Sequence, residues 1–141
     1  MVKKIVCLLL CLGLAASLLC GCKNRYIPKE EYKTLENLRF KTEFSVYPSN
    51  VKTIKYSYEN VSDETDSIGD GVGLIRIEDN NRQHVAGKKK IEYRYVAIII
   101  EPGKTHTGAL DLEEHFYLPL EPGTYCLCYE EYHSEPFEII E

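Results

Sequence analysis

From Phe40 onward, apolar side chains recur at every second position, in short runs separated by turn residues. Residues 40–46 and 51–59 form two such runs, and Pro48-Ser49-Asn50 breaks the pattern between them. Alternation with a period of two is typical of β-strands, because successive side chains point to opposite faces of a sheet. This part of the chain is therefore predicted to be all-β.

The longest apolar run, residues 91–100, is predicted to be the strongest strand. Ile91, Tyr93, Tyr95, Ala97 and Ile99 fall on one face, and the second half of the run is apolar on both faces. A strand that is apolar on both faces is usually covered on both sides. We therefore expect this strand to lie centrally in a sheet.

Two Glu-Pro-Gly turns, at residues 101–103 and 121–123, punctuate the second half of the chain. Pro fixes φ and Gly tolerates positive φ, as such turns require.

Residues 62–71 are predicted to form a polar acidic loop, and residues 87–90 are predicted to form an exposed turn. About seven short strands, with a turn roughly every 8 to 12 residues and no convincing internal helix, favour an antiparallel β-sandwich.

The N-terminal segment has the features of an export signal. Lys3 and Lys4 precede an apolar run over residues 5–19, which is too short for a comfortable membrane span. After this run comes Leu19-Cys20-Gly21-Cys22.

These four residues resemble the lipobox of bacterial lipoproteins, although Ala or Ser is commoner at the position of Cys20. The resemblance implies cleavage before Cys22, a diacylglycerol on its sulfur and a location on the extracytoplasmic face of the cell membrane. It assigns residues 1–21 to a lipoprotein signal peptide with a helical apolar core. An ordinary signal peptide cut near Ala15-Ala16-Ser17 is the alternative.

Residues 22–39 form a polar tether in this interpretation, and residues 40–141 form the domain. Tyr32, Leu35 and Leu38 recur at threefold spacing, so the tether contains either a short helix or a spacer with three apolar residues.

The net charge argues against nucleic acid as a partner. The whole chain carries −5; removing Lys3 and Lys4 with the signal leaves 15 basic and 22 acidic side chains, or −7. Phosphate backbones repel such a protein.

Only two cysteines remain in the predicted domain, Cys126 and Cys128, because three leave with the signal and Cys22 carries the lipid. Their spacing places both on one face of a strand, about 7 Å apart, which strains a disulfide. His106, His115 and His133 have no recognisable metal-ligand spacing. We therefore predict that Cys126 and Cys128 are small residues of a strand, and that the domain binds no metal and no cofactor.

No catalytic motif is found, so an enzyme is not expected and no catalytic residue is assigned. Glu113, Glu114 and His115 are predicted to form a solvated turn. Residues 63–71 could bind calcium, but counting from Asp66 as first ligand places Ile68 where an oxygen is needed. A solvated acidic loop is therefore the preferred interpretation.

Eleven tyrosines must be divided between core and surface. A small sandwich without Trp needs most of them in its core, and the alternation assigns five there. The core set is Tyr56, Tyr58, Tyr93, Tyr95 and Tyr125; Tyr129 and Tyr132, beside acidic residues, are the surface candidates.

Residues 40–141 resemble the bacterial immunoglobulin-like modules of Gram-positive lipoproteins. The resemblance rests on the order of several short motifs: Val46-Tyr47-Pro48, then residues 58–63, 100–104, 120–125 and 137–139. It implies an Ig-like β-sandwich in which Tyr125 folds its hydroxyl back onto the preceding turn. A fibronectin type III sandwich is equally compatible, and the resemblance implies no activity.

The predicted function is a non-catalytic module that is anchored to the membrane through Cys22 and interacts with a protein or glycan of the cell envelope. The alternative is a structural spacer with no ligand of its own. An envelope enzyme is the least favoured class.

Overall fold

The computed structural model describes residues 34–79, 81–88 and 94–141. These residues form short strands in three sheets and one short helix. The elements are β1 (Leu38–Thr42), β2 (Val46–Pro48), β3 (Thr53–Asn60), β4 (Asp66–Asp70), β5 (Gly73–Glu78), β6 (Asn81–His84), β7 (Arg94–Ile100), β8 (Thr105–Asp111), α1 (Leu112–His115), β9 (Gly123–Tyr129), β10 (Tyr132–His133) and β11 (Phe137–Ile140).

One sheet has three antiparallel strands in the order β1-β3-β8. Strand β3 shows why the alternation forms a strand, because Ile54, Tyr56 and Tyr58 are buried while Lys55 is exposed. Tyr58 pairs with Phe40 of β1, and Tyr56 pairs with Gly108 of β8.

The second sheet has six strands, in the order β2-β11-β9-β5-β6 with β10 beside β9. All its pairs are antiparallel except β2 with β11, which is parallel. This parallel pair attaches the short strand β2 to the edge of the sheet, and Tyr47 of β2 is buried.

A single main core contains residues from all the sheets. Phe40 and Tyr58 stack with their rings 4.3 Å apart, and Tyr125 and Phe137 stack at 6.2 Å. The prediction of an all-β fold is confirmed, with more and shorter strands than the seven expected.

The predicted central position of the strongest strand is wrong. Among the described residues, β7 pairs only with β4, in a two-stranded sheet, and Ile99 is 70% exposed. The side chain of Asn60 donates to the carbonyl of Ile100, and its backbone N–H donates to the carbonyl of Lys104. Strand β7 pairs with β4 and strand β8 pairs with β3, so the two strands that flank the turn 101–104 belong to different sheets and do not form a hairpin.

Two predicted loops contain regular structure. Residues 66–70 of the acidic stretch form β4, because Ile68 is buried in the core and the backbone pairs with β7. The predicted turn at Glu113 to His115 is helix α1, which Asp111 caps by accepting a hydrogen bond from the N–H of Glu114 at 2.8 Å. An Asp three residues before a Glu is a helix-start signal that the sequence interpretation did not use.

The N-terminal predictions lie largely outside the described residues. These predictions are the signal peptide, Leu19, Cys20, Gly21 and Cys22, and most of the tether. Within the described part, Leu38 lies in β1 and is 3% exposed, so the end of the expected tether helix is a core strand. In the described ranges no helix is long and apolar enough to cross a bilayer.

The sandwich has two ends, which we name by their residues. The Asn60 pole consists of Asn37, residues 61–65 and the turn 101–104, because Asn60 or its neighbours bond to each of them. The α1 pole consists of residues 51–52, α1 and the turn 121–123, because Leu112 donates to the carbonyl of Lys52 and Leu120 donates to the carbonyl of Ser49. The eight residues of β3 run from one pole to the other, about 23 Å at the usual strand rise.

Candidate functional site

Tyr125 forms the corner that the sequence resemblance implied. It lies on β9 two residues after Gly123, whose φ of 153° turns the chain into the strand. Its hydroxyl donates to the carbonyl of Glu121 at 2.7 Å. Burial raises the pKa of Tyr125, so the hydroxyl stays protonated and keeps donating this bond.

Arg76 locks the same turn from β5, opposite Tyr125 in the ladder. Its guanidinium bonds to the carboxylate of Glu121, forms an ion pair with Glu78 at 2.9 Å and donates to the carbonyl of Pro122 at 3.3 Å. It also lies 5.9 Å from the centre of the Tyr125 ring. The hydrogen bond that Arg76 donates to Glu121 raises the pKa of Arg76. These contacts of Arg76 are called the Arg76 clamp. The sequence interpretation missed Arg76, because Glu121 and Pro122, its partners in this turn, lie more than 40 residues away.

Asn60 organises the other end of the domain and is 1% exposed. Its amide nitrogen donates to the carbonyls of Glu64 and Ile100, at 2.8 and 2.7 Å. Its amide oxygen accepts from the backbone N–H and the hydroxyl of Ser62, at 2.9 and 2.8 Å. The loop 61–65 is thus ordered by an amide that uses both its donors and both its lone pairs.

Two residues of the acidic loop have structural contacts in the fold. The carboxylate of Asp66 accepts a hydrogen bond from the backbone N–H of Ser67 at 2.7 Å, and the side chain of Ile68 is buried in the core. In the part of the chain that the structure covers, no group of three or more His, Cys, Asp or Glu side chains could hold a metal ion. His106, His115 and His133 lie on three different elements.

Cys126 and Cys128 lie on one face of β9, as their spacing predicted, and both are free thiols. They form a small cluster with Ile75 of β5, on the face of the sheet opposite Tyr125 and Leu127. Burial raises the pKa of each thiol to about 12. A buried thiol that stays protonated is a poor nucleophile.

The predicted division of the tyrosines is confirmed for three core residues, but neither predicted surface tyrosine is exposed. Tyr56, Tyr58 and Tyr125 are buried in the core, whereas the side chains of Tyr93 and Tyr95 lie outside the described set. Tyr129, predicted at the surface, is half-buried because its ring covers Gly69 of β4. Tyr132 is also half-buried.

Tyr117 is the exposed tyrosine that the sequence interpretation missed, with 67% of its surface accessible. It follows α1 in the loop that contains the cis Leu118–Pro119 bond, and the ammonium of Lys88 lies 5.8 Å from its ring centre. Residues 116–118 are all apolar or aromatic, so alternation could not separate the buried Phe116 from the exposed Tyr117.

The two main sheets, the shared core and the Tyr125 corner define the class of immunoglobulin-like β-sandwiches. Within this class, the chain belongs to the family described as bacterial Ig-like domain, whose family model matches residues 34–135. No curated protein matches the chain significantly in sequence.

Several solved structures contain a region similar to this domain. One is a β-glucosidase from Listeria innocua in complex with glucose, with 18% identity, a TM-score of 0.40 and coverage of 74% of this chain and 16% of the glucosidase. A β-glucosidase from Erythrobacter marinus gives 17% identity, a TM-score of 0.36 and coverage of 72% and 15%.

A third is an alkylpurine DNA glycosylase from Pseudomonas fluorescens bound to DNA, with 9% identity, a TM-score of 0.40 and coverage of 74% of this chain and 31% of the glycosylase. The chain therefore spans less than a third of each of these proteins. At such low TM-scores the similarities carry no functional argument.

Proposed function

We propose that this chain is a lipoprotein of the bacterial cell envelope, anchored through diacylglycerol on Cys22, whose Ig-like domain is a non-catalytic interaction module. The observation that carries the proposal is the lipobox-like Leu19-Cys20-Gly21-Cys22, placed just before a bacterial Ig-like domain. The expected partner is an envelope protein or glycan. No cofactor and no nucleic acid are involved.

The arrangement of polar groups supports a module without chemistry of its own. Arg76 is engaged by Glu121 and Glu78, and the two thiols of the domain have a pKa of about 12. Each of these reactive groups is already committed to the fold. The fold itself supplies edges and loops on which a partner can bind.

The anchor is tested by the intact mass of the protein from a bacterial membrane fraction, compared between wild type and Cys22→Ala. We expect a diacylglyceryl adduct in the wild type and none in Cys22→Ala. Cys20→Ala is the matched control and should keep the adduct, because Ala is commoner than Cys at that position of the lipobox. An unmodified product cut near residues 15–17 would instead make this a secreted protein.

The module is tested by cross-linking the anchored protein in intact cells and identifying what it contacts. A specific envelope protein or glycan fragment, absent when Cys22→Ala releases the protein, would favour interaction. Cross-links to nothing specific would favour the structural spacer.

A further inference from the structure

The chain enters the domain at the Asn60 pole. The carbonyl of Asn37 accepts a hydrogen bond from Val61 at 2.9 Å, and Leu38 pairs with Asn60. The described chain begins at Thr34, twelve residues after Cys22. Twelve residues span at most about 40 Å, even when fully extended.

The α1 pole lies at the other end of β3, about 23 Å away. There Leu112 donates to the carbonyl of Lys52 at 2.7 Å, and the ammonium of Lys52 lies 3.0 Å from the carboxylate of Glu113. These contacts attach α1 to the N-terminal end of β3, whereas the chain enters the domain beside the C-terminal end of β3.

We infer that in the anchored protein the Asn60 pole faces the bilayer and the α1 pole faces away from it, so that an envelope partner meets α1 first. This inference rests on the proposed anchoring at Cys22. The opposite orientation would require the tether to run the length of the domain, at least about 23 Å. In the inferred orientation the tether can have any end-to-end distance that its length allows. In the opposite orientation it is restricted to long end-to-end distances, which fewer of its conformations provide.

The charge of the Asn60 pole argues against direct binding of this pole to anionic lipid. Attraction to anionic lipid requires basic side chains, whereas this pole carries mainly carboxylates. Three acidic residues stand against one lysine: Asp63, Glu64 and Glu101 against Lys104. Any strong partner of this domain is therefore expected at the α1 pole or along the sides.

The orientation is tested by energy transfer from the protein to acceptor-labelled lipid. Val61→Cys places a thiol at the Asn60 pole, where Val61 is 51% exposed, and Tyr117→Cys places one beside α1. The lipidated variants are reconstituted into vesicles and labelled with a membrane-impermeant maleimide fluorophore. Labelling is selective because Cys126 and Cys128 are buried and Cys22 carries the lipid.

We expect transfer to be roughly twofold or more stronger from position 61 than from position 117, since the poles differ by about 23 Å in height. Equal transfer, or stronger transfer from position 117, would overturn the orientation. Lys104→Cys and Lys52→Cys, both at exposed positions, form a second pair at the same two poles in case either first variant folds poorly. Vesicle flotation tests the anchoring separately from the orientation. A protein that does not float with the vesicles has no lipid anchor, and both hypotheses then fail. A protein that floats but shows the wrong order of energy transfer contradicts the orientation alone.

Discussion

At the scale of single residues, the domain relies on a few polar side chains that each hold a turn. Tyr125 and Arg76 hold the turn 121–123, and the side chain of Asn60 holds the loop 61–65. Hydrogen bonds of this kind contribute about 0.5–1.5 kcal/mol each, but a buried group left without its partner costs about 1–3 kcal/mol.

Tyr125→Phe removes the hydroxyl that bonds to Glu121 while keeping the ring in the core. We expect the free energy of unfolding to fall by about 0.5–1.5 kcal/mol, measured by urea denaturation. Tyr117→Phe is the control, because Tyr117 is exposed, and its unfolding midpoint should match the wild type. If both variants match the wild type, the corner contributes nothing to stability.

At the scale of elements, glycines let aromatic rings lie flat on neighbouring strands. A Cβ at Gly108 of β8 would lie 2.3 Å from the Tyr56 ring, and one at Gly69 would lie 2.3 Å from the Tyr129 hydroxyl. Such rings restore packing over a glycine that would otherwise weaken a strand.

Gly108→Ala should therefore destabilise the three-stranded sheet, because Tyr56 is itself packed against Phe40 and Tyr58. We expect a loss of about 1–3 kcal/mol in urea denaturation, as for other overpacked cores. The loss should shrink in the Tyr56→Leu background, which a double-mutant cycle would measure as coupling.

Gly103→Ala is the contrasting control for this cycle. A Cβ there meets no atom within 4 Å, and the cost arises from its φ of 68°. That cost should not depend on residue 56. Equal coupling of both glycines to residue 56 would contradict the packing explanation.

Elements with local signals were predictable from the sequence, and elements defined by distant contacts were not. Alternation located β3 and β9, and the Pro-Gly turn located the Tyr125 corner. Strand β4 has one buried apolar residue, Ile68, and exists because β7 pairs with it. The last residue of β7, Ile100, bonds to the side chain of Asn60, which lies 40 residues earlier in the chain.

In the candidate site, too, features set by local sequence were predictable and features set by distant contacts were not. The shared face of Cys126 and Cys128 follows from strand geometry alone, but their burial depends on Ile75 of another strand. The clamp formed by Arg76 joins residues 45 positions apart, which no local pattern indicates. Cys22 lies outside the described residues, so its modification remains a prediction.

At the scale of the whole molecule, the buried thiols and phenols make stability depend on alkaline pH. Burial raises the pKa of Cys126 and Cys128 from 9.0 to about 12, and it also raises the pKa of Tyr56, Tyr58 and Tyr129. Above pH 9 the unfolded chain releases protons that the folded chain retains, so deprotonation favours the unfolded state.

The free energy of unfolding should therefore be fully retained below about pH 8 and should decrease as pH rises from 9 towards 12. Urea denaturation at a series of pH values measures this dependence. In the Cys126→Ala/Cys128→Ala variant the decrease should be shallower, since only the tyrosines remain to cause it. A stability that stays level or rises through this range would show that these groups are not desolvated in the folded protein.

The hydrogen-bonded pairing of β1 with β3 has a mechanical consequence. The chain enters β1 at the Asn60 pole, and β1 runs towards the α1 pole along five residue pairs with β3. A force applied between the anchor and a partner bound at the α1 pole would pull along these strands, across their hydrogen bonds. The bonds would then be loaded together instead of opening one after another from an end, so the domain would resist pulling in the direction in which an anchored protein is pulled.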